Sequence, residues 1–380
     1  MLNHETSQAM KKAIHKITII CLLILINPEL GQAQTQDKLS FHCPPLSKST
    51  TPPTPRAHTM ADSLAKEALI PLDVETEARI AKVNSRSRQS TKADSARVRA
   101  FFDLLGSVHG SLHRYAGIPT QDKLEKALAD LQQALVLNPD LIAALHSIAL
   151  IAARGGHDYA CAEALHLRAL QIEPANAIIH FDYAELLAYQ GKFEAAFRYA
   201  ETAMALADQP SKDLYQWRVM RMHYMAKNYD WVINQCDQHI EKTNQDDFWN
   251  NGWPACYYKG LALAEQEKFE QALEAENLTY AFLSTDGFNL ASSARAYVMA
   301  GDTAIGKGVL AAVLQPNFEW MPYEIATAYE ALGDFDNTFL WLNIAADEGD
   351  EWLRWLNLDP RWKRIRNDPR FKKVQERAGW

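Results

Sequence analysis

From about residue 108 onward, apolar, small and polar positions recur along the chain in a fixed order. A polar or turn residue precedes an apolar or aromatic one. A small residue follows three positions later, and another seven after that. The pattern reads Lys123-Leu124, Ala127 and Ala134, followed by Asn138-Pro139; then Asp158-Tyr159, Ala162 and Ala169, followed by Glu173-Pro174; then Lys192-Phe193, Ala196 and Ala203. Looser copies set Tyr229, Phe269, Thr303 and Phe335 at the same point, and the successive intervals are 35, 34, 36, 40, 34 and 32 residues. A period near 34 with apolar positions at helical spacing predicts two amphipathic helices per unit.

Such a unit cannot bury its apolar face alone. It must stack on its neighbours, and the stack coils into a superhelix. Small residues such as Ala162, Ala184, Ala196, Ala203, Gly260, Ala272 and Ala294 belong where two helices cross closely. Asn138-Pro139-Asp140 and Glu173-Pro174-Ala175-Asn176 end one helix and reset the chain for the next. The pattern resembles the tetratricopeptide repeat. It implies an all-α fold, a right-handed solenoid of about seven helix pairs over residues 108–348 with a helical cap over 349–380.

The C-terminus carries a narrower resemblance. It runs Asp350-Glu351-Trp352-Leu353-Arg354-Trp355, then Asp359-Pro360-Arg361-Trp362, then Asp368-Pro369-Arg370-Phe371. This stretch is similar to the closing segment of the tetratricopeptide modules in bacterial CadC-type winged-helix regulators, adenylate cyclases and serine/threonine kinases. No effector domain of those proteins is recognisable in residues 1–107, so the resemblance implies a recognition module without its output. Asp359 and Asp368 are placed to cap helices whose first positions are Pro360 and Pro369. Trp352, Trp355, Trp362 and Phe371 are expected to cover the exposed face of the last repeat.

The N-terminal residues depart from the repeat. Met10-Lys11-Lys12 begins a basic stretch, Ile17 to Ile26 is apolar apart from Thr18, and Gly31-Gln32-Ala33 supplies small residues before Gln34. Residues 1–33 therefore read as an export signal, with Met10 as an alternative start. The apolar run is about half the roughly 20 residues of a membrane span, which makes an uncleaved anchor the lesser reading. The Pro-, Ser- and Thr-rich residues 34–58 are expected to be a tether, and residues 59–107 a basic helical lead-in. These features predict a periplasmic or secreted protein.

Composition adds limits. The 380 residues are 48% hydrophobic and 23% charged with a formal charge of −8, which argues against nucleic acid as partner. Residues 351–380 nonetheless hold nine Lys/Arg against four Asp/Glu, a net +5, so the remainder is more acidic than the total and the cap is basic. Cys43, Cys161, Cys236 and Cys256 form no CxxC or zinc spacing, and no metal or cofactor is expected. Cys236 and Cys256 fall on adjacent helices, which leaves two readings open, a disulfide between them or two buried thiols acting as small apolar residues.

Candidate chemistry is sparse. Gly301-Asp302-Thr303-Ala304-Ile305-Gly306-Lys307 meets the spacing of a phosphate-binding loop, but Gly308 replaces the Ser/Thr that would hold magnesium, and the segment lies at a repeat turn. His109 and His113 lack a third ligand, and His146 and His180 lie on apolar helix faces. No catalytic arrangement is predicted. The better candidate is the concave surface lined by the first helix of each pair. The repeat frame puts Phe181, Glu185 and Tyr189 there, then Trp217, Arg218, Arg221 and Tyr224. Tyr257, Tyr258 and Leu261 follow, then Arg295, and last Trp320, Tyr323 and Glu324. Aromatic and Arg side chains dominate binding hot spots, so a protein or peptide partner without catalysis is expected. A ligand- or peptide-sensing input module for a separate membrane signalling protein is the alternative. The 40-residue interval predicts a protruding loop over residues 244–253.

Overall fold

The computed structural model describes residues 43–44, 121–154, 158–242, 253–283, 287–314, 321–348 and 350–378. The predicted export signal, most of the tether, the lead-in with His109 and His113, all of the predicted loop except Trp253, and Trp320 lie outside the described residues. Those residues form α-helices and two short 3-10 segments, with no strand among them. A leading helix, α1 (Gln121–Leu137), precedes six consecutive pairs. The pairs are α2 (Ile142–Arg154) with α3 (Tyr159–Ile172), α4 (Ala177–Tyr189) with α5 (Phe193–Leu206), and α6 (Gln209–Met225) with α7 (Tyr229–Lys242). They continue as α8 (Trp253–Glu265) with α9 (Phe269–Leu283), α10 (Gly287–Met299) with α11 (Thr303–Val313), and α12 (Pro322–Leu332) with α13 (Phe335–Glu348). The 3-10 segments Glu351–Trp355 and Pro360–Trp362 and the helix α14 (Pro369–Arg377) close the chain.

Local chemistry accounts for the boundaries. Asp158, Asn176 and Asp208 accept from the backbone N–H groups of Cys161, Ile179 and Ser211, capping α3, α4 and α6. Each cap satisfies a donor that the first helical turn leaves open. The turn inside each of the last five pairs has a left-handed residue. Gly191, Gly301 and Gly333 supply it with φ of 72°, 96° and 73°, while Lys227 and Glu267 adopt it at 62° and 60° without that freedom. Glycine takes this conformation at no steric cost, whereas other residues lose about 1 kcal/mol or more there.

Each first helix packs against the first helix of the next pair, and each second helix packs against the first helix that follows it. Ala162, Ala184, Ala196, Ala203 and Ala294 are fully buried at these crossings. Gly260 and Gly306 show why some positions tolerate nothing larger. A Cβ on Gly260 would lie 2.8 Å from the Glu276 carboxylate, and one on Gly306 would lie 2.6 Å from Val298 and 2.8 Å from the Ala294 carbonyl. Gly306 is therefore a packing residue inside α11, and the phosphate-loop-like spacing arises from an ordinary turn and helix start.

The cap departs from expectation. The chain turns back after α13, and its first 3-10 segment enters the concave face instead of covering the last pair alone. Trp355 meets Tyr189 of α4 edge-on at 4.7 Å, Trp352 reaches Tyr257 of α8 at 6.4 Å, and Leu358 lies 3.7 Å from where a Cβ on Gly191 would sit. Trp362, packed edge-on against Tyr323 at 5.1 Å, and Trp352, stacked on the same ring at 6.0 Å, do cover the last pair, and α14 lies against α13. Trp355 and Trp362 are both fully buried.

The cysteines also differ from expectation. Cys43 is joined to Cys161 in a disulfide, with their Cα atoms 5.7 Å apart. The tether is thus fixed to the first turn of α3, with Pro44 buried beside it. Cys236 and Cys256 are not bonded to each other. Both are buried thiols, and burial pushes the Cys236 thiol well up, so it behaves as a small apolar residue.

Gly306→Ala is expected to lower the unfolding free energy by about 1–3 kcal/mol, the usual cost of overpacking. Urea denaturation followed by helical circular dichroism measures this, and an unchanged midpoint would show that α10 and α11 separate freely.

Candidate partner-binding surface

The concave face is built from the first helices, and the residues expected there fall into three groups. Tyr189, Arg221, Tyr257 and Tyr323 surround the returning cap. The Arg221 guanidinium lies 5.3 Å from the ring centres of both Trp352 and Trp355. Cation–aromatic contacts of this kind are worth about 2 kcal/mol when desolvated. Tyr258 packs edge-on against Tyr257 at 5.1 Å in the same region, and Tyr224 is fully buried.

A second group seals the helices behind this surface. Arg218 donates to Glu185 through Nε at 2.9 Å and again through Nη2, and Arg221 Nη2 donates to the same carboxylate at 3.2 Å. Burial disfavours the Glu185 anion, yet the two guanidinium groups hold its pKa below the usual carboxylate range. Phe181 stacks on Tyr215 at 3.9 Å, and the Arg218 guanidinium lies over the Phe181 ring, 4.9 Å from its centre. His146 meets Asp182 at 2.8 Å in the same buried layer. His180 reaches the Pro174 carbonyl oxygen at 2.9 Å. Leu261 is buried in the core.

The third group points elsewhere. Trp217 is half-buried and packs edge-on against His239 of α7 at 4.7 Å, away from the cap. Arg295 pairs with Glu265 across α8 and α10 at 3.3 Å.

The cap supplies residues that the repeat frame did not place in the groove. Arg361 has no exposed side-chain surface. Its Nη1 donates to both Glu324 oxygens at 2.9 Å, while Nε and Nη2 donate to Asp359 at 3.0 and 2.8 Å. Tyr257 donates to Glu324 at 3.0 Å, Tyr323 donates to Asp359 at 2.9 Å, and Trp362 Nε1 donates to the Tyr323 hydroxyl at 2.6 Å. Burial disfavours the Arg361 cation, but Asp359 and Glu324 outweigh it and keep the guanidinium charged. Burial, together with these carboxylates, raises the pKa values of Tyr257 and Tyr323.

The signal for this cluster lies in the repeated Asp-Pro-Arg. In each copy the Asp caps a helix through the backbone N–H two residues on, and that residue's guanidinium folds back onto the same carboxylate. Arg361 Nε and Arg370 Nε both sit 3.0 Å from Oδ1 of their Asp, and both Nη2 atoms lie 2.8 Å from Oδ2. The first copy is directed inward to Glu324; the second is exposed and reaches Asp336 at 2.6 Å.

The central groove is therefore occupied by the chain's own C-terminal segment. At Tyr189, Arg221, Tyr224, Tyr257, Tyr258 and Tyr323 no open surface is presented to a partner in this conformation, since each is at most 9% exposed. A cleft of about 520 Å³ remains where the cap meets the turns between paired helices, lined by Phe193, Met225, Lys227, Tyr229, Glu265, Leu358, Pro360, Lys363 and Arg366 among others. Another, of about 530 Å³, lies between α7, α8 and α9 and is lined by Ile240, Cys256, Lys259 and Leu263 among others. No described helix is long and apolar enough to cross a membrane.

No protein-family model matches the chain. A Sinorhizobium fredii protein, the uncharacterized protein y4yS, is 31% identical over 121 residues, which are 30% of this chain and 65% of that protein. The chain thus spans less than two thirds of that relative's length. Among solved structures, a tetratricopeptide repeat protein from Parabacteroides merdae aligns at 16% identity and TM-score 0.48, covering 68% of this chain and 93% of its own. Yeast Tom70 aligns at 15% identity and TM-score 0.41 over 96% of this chain and 77% of its own. The paired helices, their period and their stacking make this chain a tetratricopeptide-like solenoid on its own geometry.

Two measurements test the electrostatics. Arg361→Met leaves Glu324 and Asp359 buried without their cation and is expected to cost about 3–5 kcal/mol in urea denaturation; a loss below 1 kcal/mol, on the order of an exposed pair, would overturn the assignment. Glu276 is buried, accepts from Ser292 at 3.0 Å, and has its pKa pushed from 4.5 up to about 8, mainly by burial. The fold therefore keeps a proton that the unfolded chain has released. Its contribution to stability is fully present below pH 4.5 and is lost as pH rises through about 8. Glu276→Gln is expected to gain on wild type between those values by at most about 1.4 kcal/mol per pH unit. Parallel pH–stability curves for the two proteins would contradict it.

Proposed function

We propose that this protein is an exported, non-catalytic scaffold that holds another protein or peptide on a preformed helical-repeat surface. The observation that carries this reading is the grip of the concave face on the chain's own 3-10 segment. Tyr189, Arg221 and Tyr257 hold Trp352 and Trp355 through ring contacts and stacked guanidinium. Those are the interactions by which rigid surfaces recognise peptide segments. The cap fills this part of the surface in cis, so a partner in trans uses the surface that the cap leaves open.

Export is supported by the signal-like residues 10–33 and by the Cys43–Cys161 disulfide. A structural disulfide persists in oxidising compartments and is rare where thiols are kept reduced. Cys43 lies only a short way beyond the expected cleavage point before Gln34, which would fasten the new N-terminal region to the repeat array.

Two outcomes are expected from cells producing the full chain. The protein should accumulate outside the cytoplasm with the mass of a chain beginning at Gln34. In that material Cys236 and Cys256 should be alkylated after denaturation alone, and Cys43 and Cys161 only after reduction. An uncleaved cytoplasmic chain with all thiols reactive would sink the export reading. For the scaffold reading, the tagged chain should retain a reproducible partner from the envelope fraction, confirmed by reciprocal capture with the partner tagged. Failure to recover any partner above a control protein would count against it.

A further inference from the structure

We propose that the cleft at the junction of the cap with the α6–α7 turn is a docking site for a peptide segment in which Asp or Glu alternates with apolar residues. This inference rests on the scaffold reading and names the chemistry of the partner. Apolar and aromatic residues contribute part of the lining: Phe193, Met225, Tyr229, Leu358 and Pro360. Met225 and Pro360 are buried, whereas the other three are half-buried and present accessible surface.

Its cations are Lys227, Lys363 and Arg366. Lys227 and Lys363 are exposed, and among the described residues no carboxylate lies within ion-pair distance of either. Arg366 directs both terminal nitrogens to backbone carbonyl oxygens, those of Asn357 and, at 2.6 Å, Asp359. Carbonyl groups orient a guanidinium without neutralising it. By contrast, Arg361, Arg364, Arg370 and Arg377 each reach a carboxylate. The one acid in the lining, Glu265, is engaged by Arg295. The cleft therefore concentrates uncompensated positive charge on a chain whose net charge is −8.

The occupant follows from charge and size. The acidic array repels an acidic segment, while here three cations attract it, so the charge distribution steers the segment toward this cleft. A volume near 520 Å³ suits one or two apolar side chains, whose burial supplies affinity that charge alone does not. A carboxylate on either side of such a residue is then within reach of Lys227 on the α6–α7 turn and of Lys363 on the cap. The site includes the cap itself, and so it exists only when the C-terminal segment is seated.

The test uses the exported full chain and two fluorescent peptides, one alternating Asp and Glu with Leu and Phe, the other its Asn/Gln counterpart. Fluorescence anisotropy is expected to show the acidic peptide binding at least about tenfold more tightly, a difference of about 1.4 kcal/mol, and weakening as salt rises. The Lys227→Glu/Lys363→Glu double variant should lose at least about tenfold in affinity for the acidic peptide without a change in thermal midpoint. Glu267 already holds the corresponding left-handed position of the next pair, so Glu at 227 is compatible with the turn. Equal binding of the two peptides, undiminished binding by the variant, no binding by wild type, or preferential binding to phosphatidylglycerol vesicles would each overturn the proposal. If the variant still captures the envelope partner as wild type does, the scaffold reading stands and this cleft is not its site.

Discussion

The buried Arg361 cation, held between Glu324 of α12 and Asp359 of its own cap, is the interaction on which the middle of the molecule depends. A guanidinium out of contact with water is costly unless each of its donors finds an acceptor. Here two carboxylates take them, and Tyr257, Tyr323 and Trp362 satisfy the remaining lone pairs. The cluster thereby ties the fourth pair, the last pair and the cap at one point. From it, Trp352 and Trp355 extend to Arg221 and Tyr189, so helices far apart in the chain share one interior.

This changes what the repeat means energetically. In an open solenoid each unit answers mainly to its neighbours, and stability is close to a sum of local terms. Here the cap links α4, α6, α8 and α12 directly, adding contacts between pairs that are not adjacent. The left-handed Lys227 and Glu267 illustrate the latitude this gives. Their turns depart from glycine, yet they belong to pairs whose first helices touch the cap, α6 through Arg221 over Trp352 and Trp355 and α8 through Tyr257 against Trp352.

The helix pairs were legible in the sequence because period, small residues and turn prolines all encode local packing. Ala162, Ala196 and Ala203 occupy the crossings that their spacing implied. The first-helix placement of these residues was legible, since it follows from the period, but which of them face the concavity was not: Phe181 and Leu261 are buried in the core, Trp217 turns to His239 and Arg295 to Glu265. What fills the concavity was not legible. Repeat periodicity describes contacts between neighbours, whereas the path of the chain after α13 is decided by contacts with helices up to about 170 residues earlier, as in Tyr189 with Trp355. The Asp-Pro-Arg pair was visible as two helix caps, but nothing in its spacing distinguishes the copy that is buried from the copy that is exposed. The cysteines mislead for a similar reason: adjacency of helices brings Cys236 and Cys256 into one layer, while Cys161 is claimed by a residue outside the repeat.

The position of the cap in the chain has a consequence for biosynthesis. A ribosome delivers the six helix pairs in order, and each can begin to stack as soon as its neighbour emerges. Trp352, Trp355 and Arg361 arrive only after the last pair, so the aromatic interior stays uncovered until the whole array has been made. A chain cut between the last pair and Trp352 would therefore carry its defect at the centre of the protein rather than at its edge.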